Sequence, residues 1–92
     1  MSKTHRKTVT IINELGLHAR AATLFVKVAA DYKAELVVEK GGREVNGKSI
    51  MGLLTLLAAK DTQIELASTG EDAEAQISAL EELIQNRFME DR

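Results

Sequence analysis

His18 and Arg20 stand two residues apart in the run Gly16-Leu17-His18-Ala19-Arg20-Ala21-Ala22-Thr23-Leu24-Phe25, and no other pair in the chain is as well suited to chemistry. Imidazole is a nucleophile near neutral pH, and guanidinium is a permanent cation whose planar fork matches phosphate. Ala22, Phe25, Val26 and Ala29 follow at the i, i+3, i+4, i+7 spacing of one buried helical face, so the histidine falls in the expected first turn of an amphipathic helix. A helix start offers N–H groups without intrahelical partners and the positive end of the helix dipole. The expected donors to an anion are the main-chain N–H groups of Ala19, Arg20 and Ala21 together with the Arg20 guanidinium. An anion seat built around a nucleophile points to a phosphohistidine, with Gly16 expected to give a flexible approach.

Other chemistries fare worse. A histidine beside a helix start also serves as a cap or a surface residue. Metal binding needs more ligands, and the only other histidine, His5, falls in an N-terminus expected to fray. A hydrolase triad lacks a second histidine placed to act as a base. There is no cysteine, which excludes disulfides and thiolate chemistry. The formal net charge of −2, with both signs interspersed, gives no electrostatic case for nucleic acid. The longest apolar-leaning stretch, Ile50 to Ala59, falls far short of the roughly 20 residues that span a bilayer. Met1 to Thr8 is basic but leads into no apolar signal core. A soluble cytoplasmic domain without metal, cofactor or membrane insertion is expected.

The elements that must position His18 are legible as changes of period. The 92 residues suffice for one small domain, 1–92, with 1–6 expected as a flexible extension. Lys7 to Ile12 alternates Val9 and Ile11 against Thr8, Thr10 and Ile12, which predicts a strand covered on one face. Asn13 to Gly16 reads as a turn. Glu35 to Lys40 predicts a second strand, Gly41-Gly42 a two-residue hairpin, and Arg43 to Val45 the return. Ser49 is placed to cap a short helix burying Ile50, Leu53, Leu54 and Leu57. Gln63 to Ala67 alternates as a fourth strand. Thr69-Gly70-Glu71-Asp72 resembles a capping box before a helix burying Ala73, Ile77, Leu80 and Ile84, with Arg87 in its final turns. The order is β-α-β-β-α-β-α. An α+β class follows, with three helices on one face of a four-stranded, mainly antiparallel sheet.

Gly16-Leu17-His18-Ala19-Arg20-Ala21-Ala22 resembles the signature of the HPr family, the histidine-containing phosphocarriers of the bacterial phosphotransferase system. Lys48-Ser49-Ile50-Met51-Gly52 is similar to that family's second, regulatory motif, at matching separation. The resemblance spans essentially the whole chain after its first residues and implies the HPr open-faced β-sandwich. It implies that His18 accepts a phosphoryl group from enzyme I, itself charged by phosphoenolpyruvate. His18 would then pass it to A components of sugar-transport permeases or to a regulatory homologue. Arg20 is carried over as the phosphate-binding partner. The chain would thus be a carrier rather than an enzyme with turnover of its own. Ala21 departs from the commonest pattern, which has proline there. Proline in a first helical turn removes only an N–H without an intrahelical partner, so alanine leaves a donor in place. An apolar Leu15 is more similar to nitrogen-type or other proteobacterial members than to many sugar-type ones.

Ser49 is first an N-cap, and the resemblance implies that it is also a phosphorylation target of HPr kinase/phosphorylase. Leu17, Ile50 and Met51 are expected to form an apolar docking patch near the histidine, with Lys27 and Lys48 as a positive rim that steers acidic partners. A small relay protein that docks several partners is expected to be a monomer. Two other readings remain: a regulatory binding module acting mainly through protein contacts, and a plain interaction domain whose two motifs only cap helices.

Overall fold

The computed structural model describes residues 3–91. The strands are β1 (Thr4–Thr10), β2 (Glu35–Lys40), β3 (Arg43–Asn46) and β4 (Gln63–Thr69). The helices are α1 (Ala19–Ala30), α2 (Ile50–Leu54) and α3 (Ala73–Gln85), followed by a single tight turn at Arg87–Met89. The sheet order is β1-β4-β2-β3, and every pairing is antiparallel. β4 therefore lies between two strands that the chain lays down before it. Val9, Leu36, Val38, Ile64 and Leu66 turn to the buried face, at the period of two expected of a sheet covered on one side. Phe25, Leu53, Leu80, Ile84 and Phe88 are buried over them. The α+β open-faced sandwich is thus the observed architecture. Gly41 and Gly42, at φ +58° and +89°, make the two-residue hairpin turn that requires two positive φ values.

Four expectations change. β1 begins at Thr4, so Thr4, His5 and Arg6 belong to the sheet, paired with Thr69, Ser68 and Ala67, rather than to a flexible extension. Met1 and Ser2 lie outside the described residues. Three consecutive polar or basic residues hid this half of the strand, since its cross-strand partners come from the far end of the sequence.

The second helix is only five residues long and does not reach Leu57. The Thr55 hydroxyl donates to Gly52 O at 2.6 Å, and Leu57 turns to φ +52°. Helical spacing is lost at that point, so Leu56 is buried while Leu57 is exposed; Ile50, the first residue of the helix, is exposed as well. Lys40 Nζ closes the end by donating to the Leu56 and Leu57 carbonyls.

The capping box before α3 does not form. Asp72 is itself the N-cap residue, and its side chain makes no cap hydrogen bond. Its carboxylate instead accepts from the main-chain N–H of Lys33 at 2.7 Å and of Ala34 at 2.8 Å, tying down the loop between α1 and β2. The Lys33 N–H lowers the Asp72 pKa most; partial burial opposes this, and Ala34, its own N–H and the Lys48 charge reinforce it. A carboxylate whose folded pKa lies below its unfolded value stabilises the fold at neutral pH. That contribution disappears as pH falls below roughly 4 and through the folded pKa. Asp72→Asn should therefore lower Tm at pH 7 and flatten its fall in acid, as thermal melts across pH 2–7 would show. A parallel curve displaced by a constant amount would contradict this assignment.

Arg87 follows α3 rather than ending it. It sits exposed in the turn at φ +54°, where its charge no longer caps the helix dipole.

Candidate functional site

The chain reaches His18 through a turn held at both ends. Gly16 N–H donates to Asn13 O, and Leu17 N–H donates to Ala58 O at 2.8 Å. Gly16 is at φ +65°, and a Cβ there would stand 2.5 Å from Ala58 O. This corrects the flexible role expected of Gly16: the position demands glycine because the backbone is rigidly apposed to another segment. His18 is the N-cap of α1, in extended conformation and without a side-chain cap bond. Ala22 N–H donates to His18 O, so the N–H groups of Ala19, Arg20 and Ala21 precede the first intrahelical bond. Ala19 and Arg20 are exposed, whereas the Ala21 side chain is fully buried.

The imidazole is engaged by a residue from the opposite end of the chain. His18 Nε2 and Glu90 Oε2 are 2.5 Å apart, with the two side chains 28% and 12% exposed. The other carboxylate oxygen of Glu90 accepts from Asn13 Nδ2 at 3.0 Å, and the same amide donates to Gly16 O at 2.9 Å. Burial alone would raise the Glu90 pKa. The hydrogen bonds from Asn13 and His18 and the charges of His18 and Arg20 outweigh it and hold the carboxyl below its ordinary value. An open recess of about 500 Å³ is lined by Glu14, Leu15, His18, Arg20, Met89, Glu90 and Asp91. His18 and Arg20 are thus brought to one concavity.

The expected docking residues fare unevenly. Leu17 is 5% exposed and packs in the core, because the Leu17–Ala58 backbone bond turns its side chain inward. Met51, at 72% exposed, and Ile50 are on the surface as expected. Lys48 does not offer a free rim charge: its Nζ donates to Tyr32 O at 2.7 Å, at the end of α1. Lys27 is exposed on α1. Ser49 caps α2, its Oγ accepting from Gly52 N–H at 3.0 Å. Sequence reasoning missed Glu90 and Met89, took Asn13 only as part of a turn, and singled out Leu15 only as a point of family variation. Only an acidic residue just after the buried Phe88 hinted at the tail, and nothing local links it to His18.

A family model described as the PTS HPr component phosphorylation site matches residues 5–86. The chain is 48% identical over 85 residues to the phosphocarrier protein HPr of Neisseria meningitidis serogroup B, covering 92% of this chain and 96% of that one. It is also 48% identical over 83 residues to the phosphocarrier protein HPr of Pseudomonas aeruginosa, covering 89% and 92%. Among solved structures, HPr from Thermoanaerobacter tengcongensis superposes with a TM-score of 0.92 at 40% identity, covering 96% of this chain and 99% of that chain. Among the described residues no helix is long and apolar enough to cross a membrane. A match running from the first strand through the last helix, on the same sandwich, has one consequence: this chain belongs to the HPr family of phosphotransferase-system phosphocarriers.

Proposed function

We propose that His18 carries a phosphoryl group from phosphorylated enzyme I, charged by phosphoenolpyruvate, to A components of the phosphotransferase system. The observation that carries the reading is the placement of a part-exposed imidazole at the N-cap of a 12-residue helix, beside an exposed arginine and free first-turn N–H groups. Phosphoryl transfer depends chiefly on positioning and charge stabilisation, and this site supplies both with few groups. Ala19 and Arg20 present N–H groups to a phosphate, Ala21 offers one from a more buried position, and the Arg20 guanidinium neutralises its charge. Leu15, Met51 and Met89 are the exposed apolar residues around which partners dock, with Ile50 at the margin. Lys27 contributes steering charge. The carrier acts in the cytoplasm as a monomer.

Ser49 is the proposed regulatory phosphorylation site, for HPr kinase/phosphorylase, next to exposed Ile50 and Met51. Modification would exchange its cap bond for phosphate oxygens and add negative charge to this surface.

The relay is tested by isolating the labelled phosphoprotein and mixing it with an A component. Label should move to the acceptor, and label retained on this chain in an otherwise competent assay would refute the relay. Arg20→Ala should slow transfer from enzyme I by about tenfold to a hundredfold, the loss of one charge-assisted contact to a phosphate. Its melting curve should be unchanged, because the side chain is exposed. Rapid-quench rates equal to wild type would remove Arg20 from the site.

A further inference from the structure

We infer that β3 and the open sheet face beside it form a second docking surface, for an extended segment of a partner protein that carries lysine or arginine at alternate positions. This surface stands apart from the phosphocarrier reading, since its recess shares no residue with the concavity at His18.

The sheet sorts its charges by face. Leu36, Val38, Ile64 and Leu66 are buried under the helices, so Glu35, Val37, Glu39 and Glu65 project from the opposite, uncovered side. Arg6 lies opposite Ala67 and shares that side, as does Glu44 opposite Glu39. Cations of the other parity turn toward the helical layer. Lys7 Nζ is 3.5 Å from Glu81 of α3, Lys40 donates to the Leu56 and Leu57 carbonyls, and Arg43 donates to the Thr55 hydroxyl. Glu44, Glu39 and Glu65 therefore stand side by side across three strands, and like charges placed directly opposite cost stability. Arg6 pairs with Glu65 at 3.0 Å, but among the described residues Glu35, Glu39 and Glu44 form no ion pair.

The strand edge next to this row is open. Gly47 N–H donates to Leu36 O, and antiparallel bonding alternates, so Val45 is the next residue bonded to β2. Glu44 thus presents its N–H and C=O outward. Asn46 presents its N–H, while its C=O accepts from Ser49 N–H at 3.1 Å. An open recess of about 500 Å³ runs beside them, lined by Glu35, Val37, Glu44, Val45, Asn46 and Lys48 among others. Val37, at 38% exposed, gives it an apolar surface.

These features select the occupant. A strand added to β3 continues the sheet and bonds to the free main-chain groups of Glu44 and Asn46. Every second side chain of that strand falls on the open face beside Glu44, where a cation relieves the carboxylate row. A second copy of this chain would bring its own carboxylates against the row. Nucleic acid and anionic lipid carry the same repelling sign.

The probe is a capped heptapeptide alternating lysine with valine, titrated at low salt into the isotope-labelled full chain. Amide NMR shifts should move most at Glu44, Val45 and Asn46, then at Val37 and Glu39, while His18, Ala19 and Arg20 stay still. Glu44→Lys should weaken binding about fivefold to tenfold, and Glu39→Gln about threefold. Both variants remain folded, since each removes a repulsion at the surface. The same peptide methylated at every main-chain nitrogen keeps its charge but cannot donate to the edge, and it should bind more weakly. Equal binding of the methylated peptide, shifts centred on His18 or spread over the acidic positions of the helices, or no shift at millimolar peptide would overturn the proposal. Phosphorylation by enzyme I should proceed in Glu44→Lys at the wild-type rate; a lost rate would merge this face with the His18 surface and overturn its independence.

Discussion

Gly16→Ala should destabilise the domain by about 3 kcal/mol, combining the cost of a non-glycine residue at positive φ with a backbone clash. The new Cβ would lie 2.5 Å from Ala58 O and 3.0 Å from Ala59 Cα, and neither is the tip of a flexible side chain that can swing aside. The clash separates the segment before α1 from the segment after α2. The Leu17–Ala58 bond is lost with it, along with the inward setting of Leu17. A chain of 92 residues has about 5–14 kcal/mol at the usual stability per residue, so the loss is a large share of the total. Urea melts should show the midpoint falling with an unchanged slope. Transfer through His18 should fall as well, since the same turn sets the N-cap. A variant as stable as wild type would mean that the turn is not rigidly apposed to Ala58.

Phe88→Ala should cost about 3–5 kcal/mol, the range for emptying a buried aromatic site. Phe88 is fully buried beyond the end of α3, so its loss leaves a cavity and also frees the left-handed turn it anchors. The second effect reaches His18. With the turn released, Glu90 leaves Nε2, and the downfield ring proton that this contact produces in wild type should vanish even in the fraction that stays folded. Phe88→Leu refills much of the volume and should restore most of the stability. Melts of both variants, with the NMR signature of the ring, separate the packing loss from the loss of the tail contact. Destabilisation below about 1 kcal/mol in Phe88→Ala would show that the tail is not held by that ring.

What could be read from the sequence was what depends on neighbours in sequence. The alternation of Val9 and Ile11, the Gly41-Gly42 turn, the stripe of α1 and the Ser49 cap are all set within a few residues, and all were legible. Leu17 was misplaced because an apolar residue beside a reactive one reads equally as core or patch, and a bond to Ala58 decides between them. Asp72 had the spacing of a local cap, but two N–H groups nearly 40 residues upstream offered more. Lys48 looked like surface charge until the end of α1 supplied a carbonyl. Glu90 is the extreme case, since it meets His18 across 72 residues of chain. His18 and Arg20 stand out by residue type, whereas the carboxylate that meets the ring is brought there only by the tertiary fold.

The central claim, that His18 bears the phosphoryl group, is tested most directly by intact-mass measurement after incubation with enzyme I and phosphoenolpyruvate, followed by acid treatment. Wild type should gain a single phosphate that acid removes, and His18→Ala should gain none. An unmodified wild type in an assay that charges another HPr, or an equally labile phosphate on His18→Ala, would contradict it.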